Sequence, residues 1–148
     1  MTPEINLFRL VYVSRNLLPP GPEAQEEEVD RILQVSQRNN AALGVTGALL
    51  FSDDCFAQTL EGSLGAVEAL FERIQLDLRH QASVVLEAGP IAEREFGAWS
   101  MAYAGRRSSD QLRFNALTDM PCAASRGAVM AMLRGIVLRA APRLEPQG

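Results

Sequence analysis

The sequence has few of the residues and patterns that mark several common classes of protein. Its 148 residues include two cysteines, Cys55 and Cys122, which are too few for a disulfide framework and lack metal-ligand spacing. It has no run of 18 or more apolar residues, so no membrane span is predicted. The first ten residues lack the charged-then-apolar pattern of a signal peptide. These absences predict one soluble, cytoplasmic domain.

Lysine is also absent, since all 14 basic residues are arginine, and the charges are unevenly distributed. Residues 1–105 carry 15 acidic residues and 7 arginines, whereas residues 106–148 carry 3 acidic residues and 7 arginines, giving formal charges of −8 and +4. The acidic body argues against nucleic acid as a partner, because binding phosphates requires a basic surface. The change of sign predicts two parts, a main domain over 1–105 and a helical extension over 106–148.

The spacing of apolar residues predicts an α+β fold. Alternation is typical of strands and a 3.6-residue period is typical of helices. They predict strands at 5–13, 45–51, 55–61, 83–90 and 98–103, and helices at 24–40 and 64–78. This order is the ferredoxin-like βαββαβ arrangement with an added fifth strand, in which two helices cover one face of a mixed sheet. In the tail after residue 105, the same spacing predicts one short helix and one longer helix at 128–141. We expect these helices to cover the other face of the sheet.

Three polar residues occupy positions that these periodicities assign to buried faces. They are Tyr12 in the first strand, Asn40 in the first helix and Gln58 in the third strand. A buried tyrosine commonly bonds its hydroxyl at the edge of a core, and an asparagine near a helix end is commonly a cap. A buried glutamine needs partners for both its donor and its acceptor. Together the three residues indicate a polar ligand between the first helix and the sheet.

A second group of polar residues follows the second helix, namely Arg73, Asp77, Arg79 and His80. These residues could form a solvated helix end whose cations offset the helix dipole, or they could hold a phosphate at the mouth of the same cleft. The sequence has no glycine-rich phosphate loop, and no nucleophile motif accompanies the single histidine. The domain is therefore not predicted to be an enzyme.

The residues above also carry a resemblance to a known family. FRLVYVSR (8–15), ILQVSQRNNAALGVTGALL (32–50), FAQTLEG (56–62), RIQLDLRH (73–80) and FGAWSM (96–101) resemble, in order and spacing, the segments of BLUF domains, the blue-light sensors that use FAD. The resemblance covers about residues 6–103. A proline-rich insertion at 17–23 departs from many members, and the tail after Gly105 is similar only in kind.

The resemblance implies that FAD lies between the two helices, with FMN and riboflavin as alternatives. It assigns hydrogen bonds with the flavin or with one another to Tyr12, Asn40 and Gln58, and a contact with the flavin ring to Asn39. It assigns packing on the two faces of the ring to Ile32 and Ile74, and the ribityl and phosphate end to Arg73, Asp77, Arg79 and His80. Trp99 and Met101 correspond to the fifth-strand pair beside the glutamine.

The resemblance also implies how such a domain signals. Tyr12 gives up an electron and a proton after excitation, and Gln58 then rotates or tautomerises. A changed hydrogen bond to the flavin C4 carbonyl remains, seen as a small red shift. No bond to the flavin forms, so no cysteine is required. Because 148 residues leave little room for an output domain, we expect the signal to pass through the tail to a separate protein, with self-association into a homo-oligomer.

Two other functions use the same fold. One is a colourless, ferredoxin-like regulatory module that binds a different ligand. The other is an acylphosphatase-like hydrolase, for which Arg15 and Asn40 are the candidate catalytic residues. The loop after the first strand is rich in proline and lacks the glycines of a phosphate cradle, which disfavours the hydrolase.

Overall fold

The computed structural model describes residues 6–106, 108 and 110–140, and the fold of this part of the chain is α+β, as predicted. The elements follow the order β1 (Leu7–Asn16), α1 (Pro22–Leu43), β2 (Thr46–Phe51), β3 (Cys55–Ser63), α2 (Leu64–Gln75), β4 (His80–Pro90), β5 (Ala102–Arg106), α3 (Phe114–Asp119) and α4 (Cys122–Ala140). Among the described residues, no helix combines the length and the apolarity that crossing a bilayer requires.

The strands form one sheet in the order β4-β1-β3-β2-β5. Strand β1 pairs antiparallel with both β3 and β4, and β2 pairs antiparallel with β3. Strand β5 adds to the edge of β2 in parallel, which makes the sheet mixed. The β1-α1-β2 and β3-α2-β4 connections place both helices on the same face, so the predicted ferredoxin-like arrangement is confirmed.

Each face of the sheet buries its own apolar cluster, because successive side chains of a strand point in opposite directions. Leu10 and Tyr12 of β1 pack with residues of α1 and α2. Val11 and Val13 pack with residues of α3 and α4 on the opposite face. We call these the helix-side face and the tail-side face, and the predicted covering of the second face by C-terminal helices is confirmed.

The turn between β2 and β3 fastens the start of the tail to the sheet. The Asp54 carboxylate accepts a 2.5 Å hydrogen bond from the backbone N–H of Phe114, the first residue of α3. The Ser52 hydroxyl donates to the carbonyl of Leu112 at 2.7 Å. The Arg15 guanidinium donates to the Asn115 side chain at 2.7 Å. Arg15 therefore lies on the tail-side face and shares no site with Asn40. The hydrolase alternative requires these two residues in one site, so the structure disfavours it.

The two long helices differ from their predicted bounds for identifiable reasons. Helix α1 begins at Pro22, whose fixed φ suits a first turn, and ends where Gly44 adopts a left-handed φ of 70°. Helix α2 ends at Gln75 rather than at residue 78, because the Asp77 carboxylate accepts from the backbone N–H of Arg79 in a tight turn. Leu78, which the predicted helix would have placed on its apolar face, is consequently 89% exposed.

The fifth strand begins later than predicted, at Ala102 rather than at residue 98. Residues 96–99 form a turn in which the N–H of Trp99 donates to the carbonyl of Phe96, and pairing with β2 starts only at Ala102. Placing Trp99 and Met101 within the fifth strand was therefore wrong, because both lie in the loop that precedes it.

The strand predicted at 83–90 begins at His80, and helix α4 begins at Cys122 rather than at residue 128. Residues 5 and 141, which two predictions included, lie outside the described residues.

Candidate functional site

A cleft opens between α1, α2 and the helix-side face of the sheet. It holds about 810 Å³ of empty space, part of which is open to solvent. Apolar side chains form most of its walls, polar groups lie toward the sheet, and charged groups come from the segment at the end of α2. The lining residues are Tyr12, Ile32, Val35, Ser36, Asn39, Leu49, Phe56, Gln58, Leu70, Arg73, Ile74, Asp77, Arg79 and His80.

Tyr12 and Gln58 form a hydrogen-bonded pair toward the sheet. They are direct cross-strand partners of β1 and β3, so their side chains emerge side by side on the helix-side face. The Tyr12 hydroxyl donates to Gln58 Oε1, and Gln58 Nε2 donates in turn to the Met101 sulfur at 3.5 Å. Burial raises the pKa of Tyr12 well above its usual value, with the Asp77 charge as a smaller contribution. The phenol is therefore neutral and able to donate at physiological pH.

Asn40, also predicted as a site residue, is not among the residues that line the cleft, and one half of its amide is unused. Its Nδ2 donates to the Ser100 carbonyl at 2.8 Å, whereas its buried Oδ1 has no hydrogen-bond partner among the described residues. A buried acceptor without a donor costs free energy. The neighbouring Asn39 lines the cleft. A ligand with an N–H group at its edge would satisfy the unpaired oxygen.

Two arginines near the mouth of the cleft differ in how their charges are balanced. Arg79 forms a fork with the Asp77 carboxylate, at 2.6 Å for its shortest contact, and reaches Glu28 at 3.4 Å. The hydrogen bond from Arg79 is the main reason why the pKa of Asp77 lies below its usual value. Arg73 forms no ion pair with any described residue. Arg73 is therefore the cation better able to receive an anionic group.

His80 lines the cleft, but both of its ring nitrogens bond to other parts of the protein. Its Nδ1 lies 2.7 Å from the Ser14 hydroxyl and its Nε2 lies 2.6 Å from the Ile74 carbonyl. A carbonyl only accepts, so Nε2 carries a proton. Both nitrogens are thus engaged within the protein, and the ring ties β1 to the end of α2 beside Ile74. This geometry does not support the phosphate contact predicted for His80.

The structure brings most of the predicted site residues to this one cleft. Tyr12, Ile32, Asn39, Gln58, Arg73, Ile74, Asp77, Arg79 and His80 all line it. Met101 contacts Gln58 from the helix-side face, whereas Trp99 packs against the tail-side cluster. Trp99 and Met101 therefore lie on opposite sides of the sheet, and Met101 is the residue beside the glutamine.

Sequence reasoning missed several contributors to the cleft. Val35, Leu49, Phe56 and Leu70 line it as ordinary apolar residues. The register between β2 and β3, which pairs Leu49 with Gln58, was the signal that could have identified Leu49. Gln37, whose Nε2 donates to the Met101 carbonyl at 3.2 Å, gave no signal in the sequence.

Comparison with known proteins identifies the family. Residues 7–102 match the profile of the family described as "BLUF: Sensors of blue-light using FAD". The chain belongs to the BLUF family. FAD is accordingly the cofactor of this BLUF domain, and the description of the family as sensors agrees with the prediction that the domain is not an enzyme.

Relatives of this BLUF chain include stand-alone proteins and parts of larger ones. The photoactivated adenylate cyclase subunit beta of Euglena longa is 34% identical over 96 residues, which are 65% of this chain and 11% of that protein. The BLUF protein BlrB in its dark state is 30% identical with a TM-score of 0.67, over 91% of this chain and 97% of BlrB. A bacterial light-regulated adenylyl cyclase is 35% identical with a TM-score of 0.60, over 68% of this chain and 28% of that protein.

The residues of the BLUF cleft fit a flavin. A flat ring with a polar edge requires apolar walls and amide groups at one end, which Ile32, Ile74, Asn39 and Gln58 supply. Asn40 is not part of the lining, but its buried Oδ1 lacks a donor, and a flavin edge carries an N–H group. The charged residues of the α2–β4 segment suit the polar remainder of FAD.

Acidification is expected to remove the stabilisation that the Asp77–Arg79 pair gives this BLUF domain. A carboxyl whose pKa is lowered on folding stabilises fully above its unfolded pKa, near 3.8 for Asp77, and loses that contribution as the pH falls through the lower folded value. The difference in free energy of unfolding between wild type and Asp77→Asn should therefore be larger at pH 7 than at pH 3. Urea titrations at both pH values measure it. A difference that grows on acidification would contradict the prediction.

Proposed function

We propose that this chain is a blue-light photoreceptor that holds FAD non-covalently in the cleft and signals through a change in the orientation of Gln58. The observation that carries the proposal is the continuous contact from the Tyr12 hydroxyl through the Gln58 amide to the Met101 sulfur. Bound FAD supplies the absorption of blue light and a strongly oxidising excited state. The remaining steps depend on the residues of the chain.

Tyr12 is the residue suited to give up an electron and a proton. It is a neutral phenol that lines the cleft, and its ring packs 5.1 Å from that of Phe71. A phenol that loses an electron becomes strongly acidic, so its proton needs an acceptor within hydrogen-bonding distance. Gln58 Oε1 already accepts that hydrogen bond. The proton therefore has a defined path to the amide.

Gln58 can occupy two orientations that differ in their partners. As observed, Oε1 accepts from Tyr12 and Nε2 faces the Met101 sulfur. Rotation by half a turn would bring Nε2 to the Tyr12 oxygen and Oε1 to the sulfur, which is only a weak acceptor and has no hydrogen to donate. The two orientations thus place different groups against Met101. A reorientation of this kind is a local change with a structural consequence for the loop that holds Met101.

The proposal requires no covalent bond between protein and flavin. Cys55 is buried on the tail-side face, and Cys122 is exposed at the start of α4. Burial raises the pKa of the Cys55 thiol to about 12, so it stays protonated and unreactive. Neither thiol lines the cleft.

An absorption spectrum before and after blue light tests the proposed function. The purified protein, supplied with FAD, should be yellow, and its flavin band should shift to the red under blue light and return in darkness. A protein that binds FAD without any shift would contradict the photoreceptor. A protein that is colourless after incubation with FAD and removal of the unbound flavin would favour the regulatory module that binds another ligand.

Replacing Arg73 by Gln is expected to weaken binding of FAD more than binding of riboflavin, which has no phosphate. Loss of one charged hydrogen bond should lower the affinity for FAD by roughly tenfold. Fluorescence titration of the flavin-free protein with both flavins measures this. Arg38→Gln is the matched control, because Arg38 is exposed on α1 and does not line the cleft. An equal loss for both flavins would contradict a phosphate contact.

We further propose that residues 106–148 act as a helical cap that relays the signal to a separate protein or to a second copy of the chain. The two relatives named above as adenylate or adenylyl cyclases are much longer proteins, and the match to this chain covers 11% and 28% of their lengths. Support for the relay comes from α3 and α4, which pack on the tail-side face. Size-exclusion chromatography in darkness and under blue light tests self-association, and identical elution as a monomer in both would contradict the homo-oligomer.

A further inference from the structure

The tail-side face carries a buried ionic cluster that the proposed photochemistry does not use. Glu61 of β3 is fully buried, and its carboxylate accepts from Arg9 Nε at 3.1 Å and from Arg9 Nη2 at 2.9 Å. The backbone N–H groups of Glu95 and Phe96 donate to the same carboxylate at 3.1 and 2.9 Å. Four donors on one buried carboxylate form a firm attachment, because breaking it would leave buried charge uncompensated.

This attachment holds one half of the loop over residues 91–101, which we call the β4–β5 loop. The other half of the loop is bound by Asn40 of α1 and by Gln58 of the cleft. Asn40 Nδ2 donates to the Ser100 carbonyl at 2.8 Å, and Gln58 Nε2 donates to the Met101 sulfur at 3.5 Å. The β4–β5 loop therefore contacts the flavin cleft at its C-terminal end and the tail-side face nearer its middle.

The same loop is joined to the tail by an ion pair. Arg134 of α4 binds Glu95 with two parallel hydrogen bonds, 2.5 Å from Nε to Oε2 and 2.7 Å from Nη2 to Oε1. Arg9 Nη2 lies 3.3 Å from the same carboxylate. The hydrogen bonds from Arg134 are the main reason why the pKa of Glu95 lies below its usual value, so Glu95 is charged at neutral pH.

The two attachments of the loop differ greatly in strength. The Glu61 contacts are buried, whereas the Arg134 and Glu95 side chains are 48% and 30% exposed. Exposed ion pairs are weak and are screened by salt. Only five residues lie between Glu95 and Met101, so displacement of Met101 strains the contacts of Glu95. That strain should break the weaker contact first.

We propose that the Glu95–Arg134 ion pair is a latch that holds α4 to the β4–β5 loop in darkness and opens when Gln58 changes orientation. Arg134 is then a positioning residue for the tail, acting through the loop rather than on the cofactor. The inference rests on the proposed function, since it requires a light-driven change at Gln58. It identifies the ion pair through which that change is transmitted from the sensor domain to α4.

Hydrogen exchange of the FAD-loaded, full-length protein tests the latch, with the absorption spectrum recorded on the same samples. In wild type, amides of residues 130–140 should exchange faster under blue light than in darkness. Arg134→Gln should keep the full red shift, yet exchange in darkness at the rate of the illuminated wild type, roughly two- to fivefold faster than the dark wild type. Raising the salt to about 1 M should accelerate dark exchange in wild type and leave Arg134→Gln unchanged.

Arg126→Gln is the matched control, because it removes the same charge from the same helix. Arg126 lies 3.9 Å from Glu87 and does not contact the β4–β5 loop, so this variant should behave as wild type. If light accelerates amide exchange at α4 in Arg134→Gln as much as in wild type, the latch is overturned. The signal would then reach the tail through the packing of Trp99 on the tail-side cluster. Unchanged exchange at α4 in illuminated wild type would also overturn it. Absence of the red shift in wild type would instead refute the proposed function.

Discussion

Tyr12→Phe is expected to bind FAD and to lose the light-induced red shift completely. The substitution removes one oxygen and leaves the ring against Phe71, so the shape of the cleft is retained. It deletes the hydroxyl that donates to Gln58 Oε1, and with it the electron and proton donor of the proposed switch. Leaving that buried acceptor without a donor should lower the free energy of unfolding by about 1 kcal/mol, which a folded domain tolerates.

The measurement compares flavin content, the dark spectrum and the spectrum after blue light. Retained flavin with no shift is the expected result for Tyr12→Phe. A full and reversible shift in this variant would show that another residue starts the photochemistry. Loss of flavin binding would show that the hydroxyl is needed to form the cleft, contrary to its contacts in the structure.

Gln58→Leu should produce the same loss of the shift by removing the amide that reorients. Its neighbour offers a matched control, because Thr59 points to the opposite face of β3. The Thr59 hydroxyl is buried with no hydrogen-bond partner among the described residues, so Thr59→Val removes it without breaking a contact. Thr59→Val should retain the full shift. Equal loss in both variants would indicate that damage to β3, rather than loss of the amide, abolishes the response.

The sequence predicted the core of the site because strand and helix periodicities place side chains reliably. Tyr12 and Gln58 stood out as polar residues in phase with apolar neighbours, and the structure makes them cross-strand partners. Asn40 stood out in the same way on α1. The alternative prediction, that Asn40 caps the helix, does not match the structure. Helix α1 continues to Leu43, and the Asn40 side chain donates to the Ser100 carbonyl instead.

The loops and element ends were beyond such reasoning, since long-range contacts determine them. The β4–β5 loop is shaped by the Glu61 carboxylate, which binds two of its backbone N–H groups from another strand. Nothing local to residues 91–101 indicates that contact, and the fifth strand was consequently placed too early. The contacts of His80 were hidden from the sequence for a similar reason, because its partners Ser14 and Ile74 lie on two different elements.

Gly47→Ala is expected to have the largest effect on stability, since the position leaves no room for a side chain. A Cβ at Gly47 would lie 2.1 Å from the backbone carbonyl oxygen of Thr59 on the adjoining strand. A backbone atom of a central strand cannot move aside as a flexible side chain can. We therefore expect the free energy of unfolding to fall by at least about 2 kcal/mol.

The cleft should be affected together with stability, because β2 supports it directly. The N–H of Gly47 donates to the Trp99 carbonyl at 3.2 Å, and Leu49 on the same strand lines the cleft opposite Gln58. Separating β2 from β3 to admit a methyl group would shift both contacts, so Gly47→Ala should retain less FAD than wild type. Urea denaturation and flavin content measure the two effects.

Gly65→Ala is the control for Gly47→Ala, because nothing lies within 4 Å of a Cβ built at Gly65 in α2. Alanine favours a helix over glycine by up to about 1 kcal/mol, so this variant should equal or exceed wild type in stability. If Gly47→Ala unfolds at the same urea concentration as Gly65→Ala, then β2 and β3 do not approach as closely as the structure has them. The presence of glycine at position 47 would then need another explanation than the close approach of these two strands.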